Sequence, residues 1–270
     1  MSFDKPGREG EGRPINGSSR ATADRETACA HCPLRAQPLF QSVTPVELEL
    51  IQELKRGEIQ RGPGQLLINE GETDSPLLTL LSGWAFRFKT LRDGRRQILN
   101  FLLPGDFIGL QQKMTDAASH GVEALTTVRL CVFQRDAVWK LHSNCPSLGF
   151  DVTWLASQEE SLVDNNLLSV GRHNALERVA ALLLSLHRRA SLHDKAAAKQ
   201  GILFPITQQH LADALGLSLV HTNKTLRKLV SVGLCDWSAA QQRLRLPDPA
   251  ALARLADIEA LGEPESRPLI

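Results

Sequence analysis

Two groups of residues in this 270-residue chain have types and spacing that could do chemistry. The first runs through residues 207–229, where Ser218, Val220, His221, Asn223, Lys224 and Arg227 follow one another at helical spacing. Asn can pair two-pronged with adenine, Lys can donate to guanine or to phosphate, and an apolar side chain such as Val can meet a thymine methyl. Thr207 and Gln208 open the preceding segment, where the free N–H groups of a helix start suit a phosphate. Arg227 and Lys228 read as phosphate clamps or solvated surface rather than base readers. The second group is Cys29-Ala-His-Cys32 together with the distant Cys131. One Cys-x-x-Cys pair is a weak metal signal, and inert or redox-reactive thiols share that spacing. No nucleophile–base pairing or phosphate loop is visible, and only His120 lies between Leu39 and Phe133. A histidine-built catalytic metal site needs more than one such ligand, so an enzyme is not expected.

The elements that must hold the first group are two short helices. Leu211, Ala212 and Leu215 make an apolar stripe on one, and Leu226, Leu229 and Val230 make one on the other. Gly216 stands at the turn between them and Ser218 caps the second helix. A helix-turn-helix fits this pattern, its second helix free to enter a major groove, and an ordinary helical hairpin has the same pattern. Residues 234–237 and 242–246 then read as a two-stranded wing with Leu244 and Leu246 inward and Arg243 and Arg245 outward. Asp248 caps a further helix over residues 250–256, with Pro249 in its first turn. From Gly171 to Pro247 there are eleven Lys/Arg against four acids, whereas residues 146–170 carry four acids and no Lys or Arg. A basic module behind an acidic connector suits phosphate binding by counterion release, although the whole chain is only +1.

Upstream the texture changes. Residues 65–69, 77–81, 84–89, 97–103, 121–127 and 129–133 read as short strands, with Asp93-Gly94 as a hairpin turn. Trp84, Phe86 and Phe88 alternate with Ala85, Arg87 and Lys89, which predicts one buried face. Many short strands indicate a compact barrel or double-sheet roll. Leu148, Val152, Leu155, Leu162 and Asn166 then fall on a seven-residue lattice interrupted by Glu159. That lattice predicts a helix pairing with a second copy of itself; a helix lying on its own barrel is the alternative. Residues 172–189 predict another amphipathic helix.

The fold class expected is α+β, divided as a disordered tail (1–27), a β-barrel (28–145), a dimerisation helix (146–170), a winged helix-turn-helix (171–256) and a second tail (257–270). No run of about eighteen apolar residues exists, so no membrane partner is expected. Five cysteines without a disulfide framework and an N-terminus unlike a secretory signal point to the cytoplasm.

Barrel, long helix and winged helix-turn-helix, in this order, resemble the CRP/FNR family of bacterial transcription regulators. Leu81-Ser-Gly83, residues 94–97, Leu103-Pro-Gly-Asp-Phe-Ile-Gly109, Glu177-Arg-Val-Ala180 and residues 207–229 carry the resemblance, which spans roughly residues 28–255. It implies a cyclic-nucleotide-binding-like jelly roll acting as sensor, a homodimer on near-palindromic double-stranded DNA, and RNA polymerase as a partner. The segments Gly109-Leu-Gln-Gln-Lys113 and Ala117-Ala-Ser-His-Gly121 lack the acid and the arginine with which the nucleotide-sensing branch holds its ligand. A cyclic nucleotide is therefore not the expected signal; oxygen or redox state is. The FNR branch implies an iron–sulfur cluster on Cys29, Cys32 and Cys131, with the fourth thiolate position falling near Pro38. Val220 stands where the family commonly has a glutamate, and Lys224 where it has an arginine, implying an altered half-site. An architectural DNA binder with a vestigial barrel is the rival reading.

Overall fold

The computed structural model describes residues 27–110, 117–134, 136–194, 200–258 and 266–270. Residues 1–26 of the expected tail, and Gln111–Lys113 of the segment compared above, lie outside the described residues. A single 3-10 turn at Cys29–His31 leads to helix α1 (Pro45–Leu54), which starts at a Thr44/Glu47 capping box. Eight strands follow: β1 (Lys55–Arg61), β2 (Leu66–Ile68), β3 (Leu77–Ser82), β4 (Ala85–Thr90), β5 (Arg96–Leu102), β6 (Phe107–Ile108), β7 (Gly121–Ala124) and β8 (Val128–Phe133). They form two antiparallel four-stranded sheets, ordered β1-β8-β3-β6 and β2-β7-β4-β5. Ile68, Leu78, Leu80, Ala85, Leu102, Val122 and Leu130 fill the space between them. The turn between β5 and β6 needs glycine: Gly105 has φ +86°, and a Cβ there would sit 2.4 Å from Cζ of Phe40.

Helices α2 (Ala137–Asn144), α3 (Pro146–Arg172) and α4 (Ala175–Ser191) come next. The helix expected over 172–189 begins later, because Arg172 ends α3 and Asn174 caps α4, its side chain accepting from Leu176 and Glu177 N–H. The winged module continues with β9 (Ile202–Leu203), α5 (Gln208–Leu215), α6 (Leu219–Ser231), β10 (Asp236–Ser238), β11 (Arg243–Arg245) and α7 (Pro249–Leu255). The wing sheet is three-stranded, β10-β11-β9, rather than the two-stranded hairpin expected.

Three further expectations are corrected by packing. Strand β4 is buried on both faces: Ala85 points into the barrel core, while Phe86 joins a core shared with Leu211, Leu215, Leu226 and Leu229 of the winged module. The lattice on α3 faces its own chain. Leu148, Val152 and Leu155 are buried with Phe107 and Phe133 of the barrel, and Asn166 Nδ2 donates to Leu99 O at 2.9 Å. Glu159, the charged interruption, pairs with Arg87 of β4 at 2.7 Å. A seven-residue apolar repeat identifies a face to be covered, and here the chain's own barrel covers its first part, Leu148 to Leu155, while Leu162 stays half-buried. Residues 266–270 do not trail away as a tail. Arg267 pairs with the backbone at Phe40, and Leu269 and Ile270 are buried against the barrel.

Candidate nucleic-acid interface and thiol pocket

Helix α5 begins at Thr207, whose Oγ1 accepts from His210 N–H at 3.2 Å, and ends where Gly216 takes a left-handed φ of +63°. Helix α6 begins at Ser218, whose Oγ accepts from His221 N–H at 3.2 Å. Thr222, Thr225, Leu226 and Leu229 form its buried side, and Thr222 and Thr225 hydroxyls donate back to the carbonyls of Ser218 and His221. Val230, expected on that stripe, is exposed instead, since 3.6 residues per turn carries it past the buried arc.

The opposite arc of α6 is open. Val220 is 80% exposed, and His221, Lys224, Arg227 and Lys228 are exposed beside it, with no acid anywhere on the helix. At 100° per residue, Val220, Lys224 and Arg227 lie within one narrow stripe, and Asn223 stands at its margin and is half-buried. Ser218 and Thr207 are exposed at the starts of α6 and α5, and Gln208 is half-buried in the first turn of α5. Wing Arg243 donates to Gly201 O at 2.8 Å and Arg245 pairs with Asp236 at 3.1 Å, so both are tied within the wing rather than loose.

Residues that sequence reasoning passed over fix this module on the barrel. Arg96 of β5 lies 3.4 Å from Asp213 of α5 and 3.2 Å from Glu123 of β7, with its guanidinium 4.8 Å from the Phe86 ring centroid. Gln97 Nε2 donates to Ala214 O at 2.9 Å, and the His210 ring packs against Phe86. From α4, Arg189 reaches Asp106 at 2.6 Å and Phe101 O at 2.8 Å. Burial pushes the Asp106 carboxyl up, but Arg189 and Arg267 hold it below its ordinary range. Arg189 closes the doubly basic end of α4, the one sequence signal that could have drawn attention to it.

The second group converges as well. Cys29, Cys32 and Cys131 line one small pocket with Arg35, Lys55, Glu58, Thr79, Leu269 and Ile270. Burial raises the Cys29 thiol, partly offset by Lys55 and Arg35, and pushes Cys131 up to about 12. Lys55 and Glu58 pair at 2.7 Å, and Glu58 also accepts from Arg129 at 2.7 Å and from Thr27 N–H. The residual cavity is about 20 Å³, room for about one water. Among the described residues no three or more His, Cys, Asp or Glu are arranged to hold a metal ion. As these side chains sit, they do not fit an iron–sulfur cluster, which takes four ligands and more space. Cys145 lies elsewhere, 3.2 Å from Ser147 Oγ, and Cys235 is buried in the winged module.

Comparison with known proteins agrees with this architecture. Residues 58–145 match the cyclic nucleotide-binding domain, and residues 177–255 match the Crp-like helix-turn-helix domain. The chain is 30% identical over 203 residues to the transcriptional activatory protein AadR of Rhodopseudomonas palustris, covering 74% of this chain and 81% of AadR. It is 29% identical over 228 residues to the nitrogen fixation regulation protein FixK of Bradyrhizobium diazoefficiens, covering 84% of this chain and 93% of FixK. The structure of FixK2 from Bradyrhizobium japonicum superposes with a TM-score of 0.66 at 25% identity, over 76% of this chain and 98% of that one. With barrel, long helix and winged module in the order those relatives share, the chain belongs to the CRP/FNR family of DNA-binding transcription regulators.

Proposed function

We propose that this regulator reads a near-palindromic duplex as a homodimer, with α6 in the major groove, and that its signal is redox state rather than a cyclic nucleotide. The observation that carries the DNA reading is the open, acid-free arc of α6, capped at Ser218 and centred on Val220, Lys224 and Arg227. In that geometry Val220 meets a thymine methyl, Lys224 donates to guanine or phosphate, and Asn223 reaches a base from the edge of the stripe. Ser218, Thr207, Gln208 and Arg227 serve phosphates, and His221 flanks them. Lysine at position 224 forgoes the planar fork of arginine, which relaxes discrimination at its base. Random-site selection on duplex DNA tests this reading, and recovery of a two-fold-symmetric site is the expected result.

Dimerisation is assigned to an open flank of α3, where Val163 and Leu167, one turn apart, are exposed. For the signal, support comes from three thiols sharing one pocket and from a barrel interior filled by aliphatic side chains. The chain acts by binding rather than catalysis, in the cytoplasm, and passes its effect on to RNA polymerase. Operator titrations with and without a thiol oxidant, and with and without cyclic nucleotide, separate this regulator from a signal-independent architectural binder.

A further inference from the structure

We propose that residues 266–270 are a strap that ties the winged module to the thiol pocket and holds the module docked on the barrel. Ile258 packs on the module's core, and the Ser266 carbonyl accepts from Gln41 Nε2 at 3.0 Å. Arg267 then pairs with the backbone on both sides of Phe40: its N–H donates to Leu39 O, and its own carbonyl accepts from Gln41 N–H, each at 2.9 Å. The Arg267 guanidinium reaches Asp106 Oδ1 at 3.0 Å and Gly105 O at 3.3 Å. Asp106 therefore joins three parts of the molecule, since its other oxygen is taken by Arg189 of α4. Leu269 is buried with Leu34, Leu39 and Phe40, and its carbonyl accepts from Arg35. Ile270 is buried beside Cys29, Cys131 and Phe133, and its carbonyl accepts from Thr79 Oγ1 at 2.6 Å.

Ile270 thus fills the space between the thiols, and only about 20 Å³ is left over. Any group on Cys29 or Cys131 larger than about one water overfills the space left beside Ile270, which must then move. Moving it breaks the bond from Thr79, disturbs the one from Arg35 to the neighbouring Leu269 carbonyl, and loosens Arg267 from the Asp106 junction. Ile258 and Arg267 also line one cleft of about 1230 Å³ between barrel, α3 and α4. Through Arg267, Asp106 and Arg189 the strap bridges the domain boundary. Occupancy of the pocket and docking of the module become linked equilibria, and linkage of this kind is reciprocal. The strap deepens the redox reading above and rests on it only for the identity of the signal.

Two variants of the full chain test the proposal: Arg267→Ala, which removes the strap's arm of the junction and leaves the Asp106–Arg189 pair, and Ile270→Asp, which makes burial beside the thiols unfavourable. The readouts are the rate of iodoacetamide alkylation at Cys29 and Cys131, and amide hydrogen exchange along α5, which docks on β5. Losing one charge-assisted hydrogen bond corresponds to about a tenfold shift, so both rates are expected to rise about tenfold in Arg267→Ala, and to rise in Ile270→Asp as well. Arg267→Lys, which keeps the charge at Asp106, is expected to restore most of the protection. Unchanged alkylation would mean that the strap does not guard the thiols. Faster alkylation with unchanged exchange in α5 would mean that it guards them without holding the module. Either result overturns the proposal. Diamide treatment of the wild-type protein separates the two readings: if oxidation leaves operator affinity unchanged while both variants behave as expected, the redox signal is refuted and the strap stands.

Discussion

On α6 the chemistry-bearing side chains face outward, each held at its base by a buried neighbour and free at its tip. At the thiol pocket the opposite holds: Cys29 and Cys131 are buried, ringed by charged partners, and covered by residues from the far end of the chain. The first region is ready to meet a ligand without rearrangement. The second can respond only if something moves, which is what distinguishes a reading head from a sensor. Phe86 and Phe101 of the barrel pack with Leu211, Leu215 and Leu229 of the winged module, whereas the thiols lie in a separate core with Phe107, Phe133 and Leu155. The polar junction of Arg267, Asp106 and Arg189 bridges the two regions.

The largest expected effects test the buried side of this contrast. Arg87→Ala removes one partner of the buried pair with Glu159 and is expected to cost about 3–5 kcal/mol in denaturant unfolding. Leu155→Asp is expected to destabilise the fold on a similar scale, because Leu155 lies in the barrel-side core. Leu167→Asp, on the open side of α3, should leave unfolding nearly unchanged while shifting the protein toward monomer in sedimentation. Equal unfolding midpoints for the two aspartate variants would erase the assignment of faces on α3.

Acid probes another buried group, His120 of the barrel. Burial, with Arg87 and Lys89 adding to it, lowers His120 from its ordinary 6.5 to about 4. The unfolded chain takes up that proton at higher pH than the folded one, so stability falls as pH drops from 6.5 toward 4. The full loss amounts to about 3 kcal/mol, and His120→Gln should flatten this part of the pH–stability curve.

Smaller effects test the exposed region. Asn223→Ala is expected to cost about 1–3 kcal/mol in operator binding and to relax one base position. Equal loss on every sequence would recast Asn223 as a phosphate contact. Arg227→Ala should weaken binding uniformly and lower the salt slope by about one.

How legible these regions were in the sequence follows the same contrast. Gly216, Ser218 and the stripe Leu211-Ala212-Leu215 belong to a helix grammar that operates over a few residues, so the two helices and their turn could be read directly. Strand β4 could be read only in part: alternation marks a strand, but Phe86 is covered by His210, more than a hundred residues away. Sequence separation likewise hid the partner of Glu159, Arg87 in the barrel, and the place of Leu269 and Ile270. Periodicity on α3 gave a face without saying what covers it. Strand β1 escaped notice because Lys55-Arg-Gly-Glu-Ile-Gln-Arg61 is mostly charged, and its pairing with β8 supplies what its composition does not. The three cysteines were flagged, yet their crowding depends on a C-terminal segment that no local pattern places beside them.

The most direct measurement is salt-dependent binding of the purified protein to duplex DNA recovered from random-site selection, compared with a Lys224→Glu/Arg227→Glu variant. The account predicts an enriched two-fold-symmetric site, affinity that falls steeply with salt, and loss of that affinity in the variant. Absence of any enriched sequence, or an affinity that the two charge reversals leave untouched, would contradict the placement of α6 in the groove.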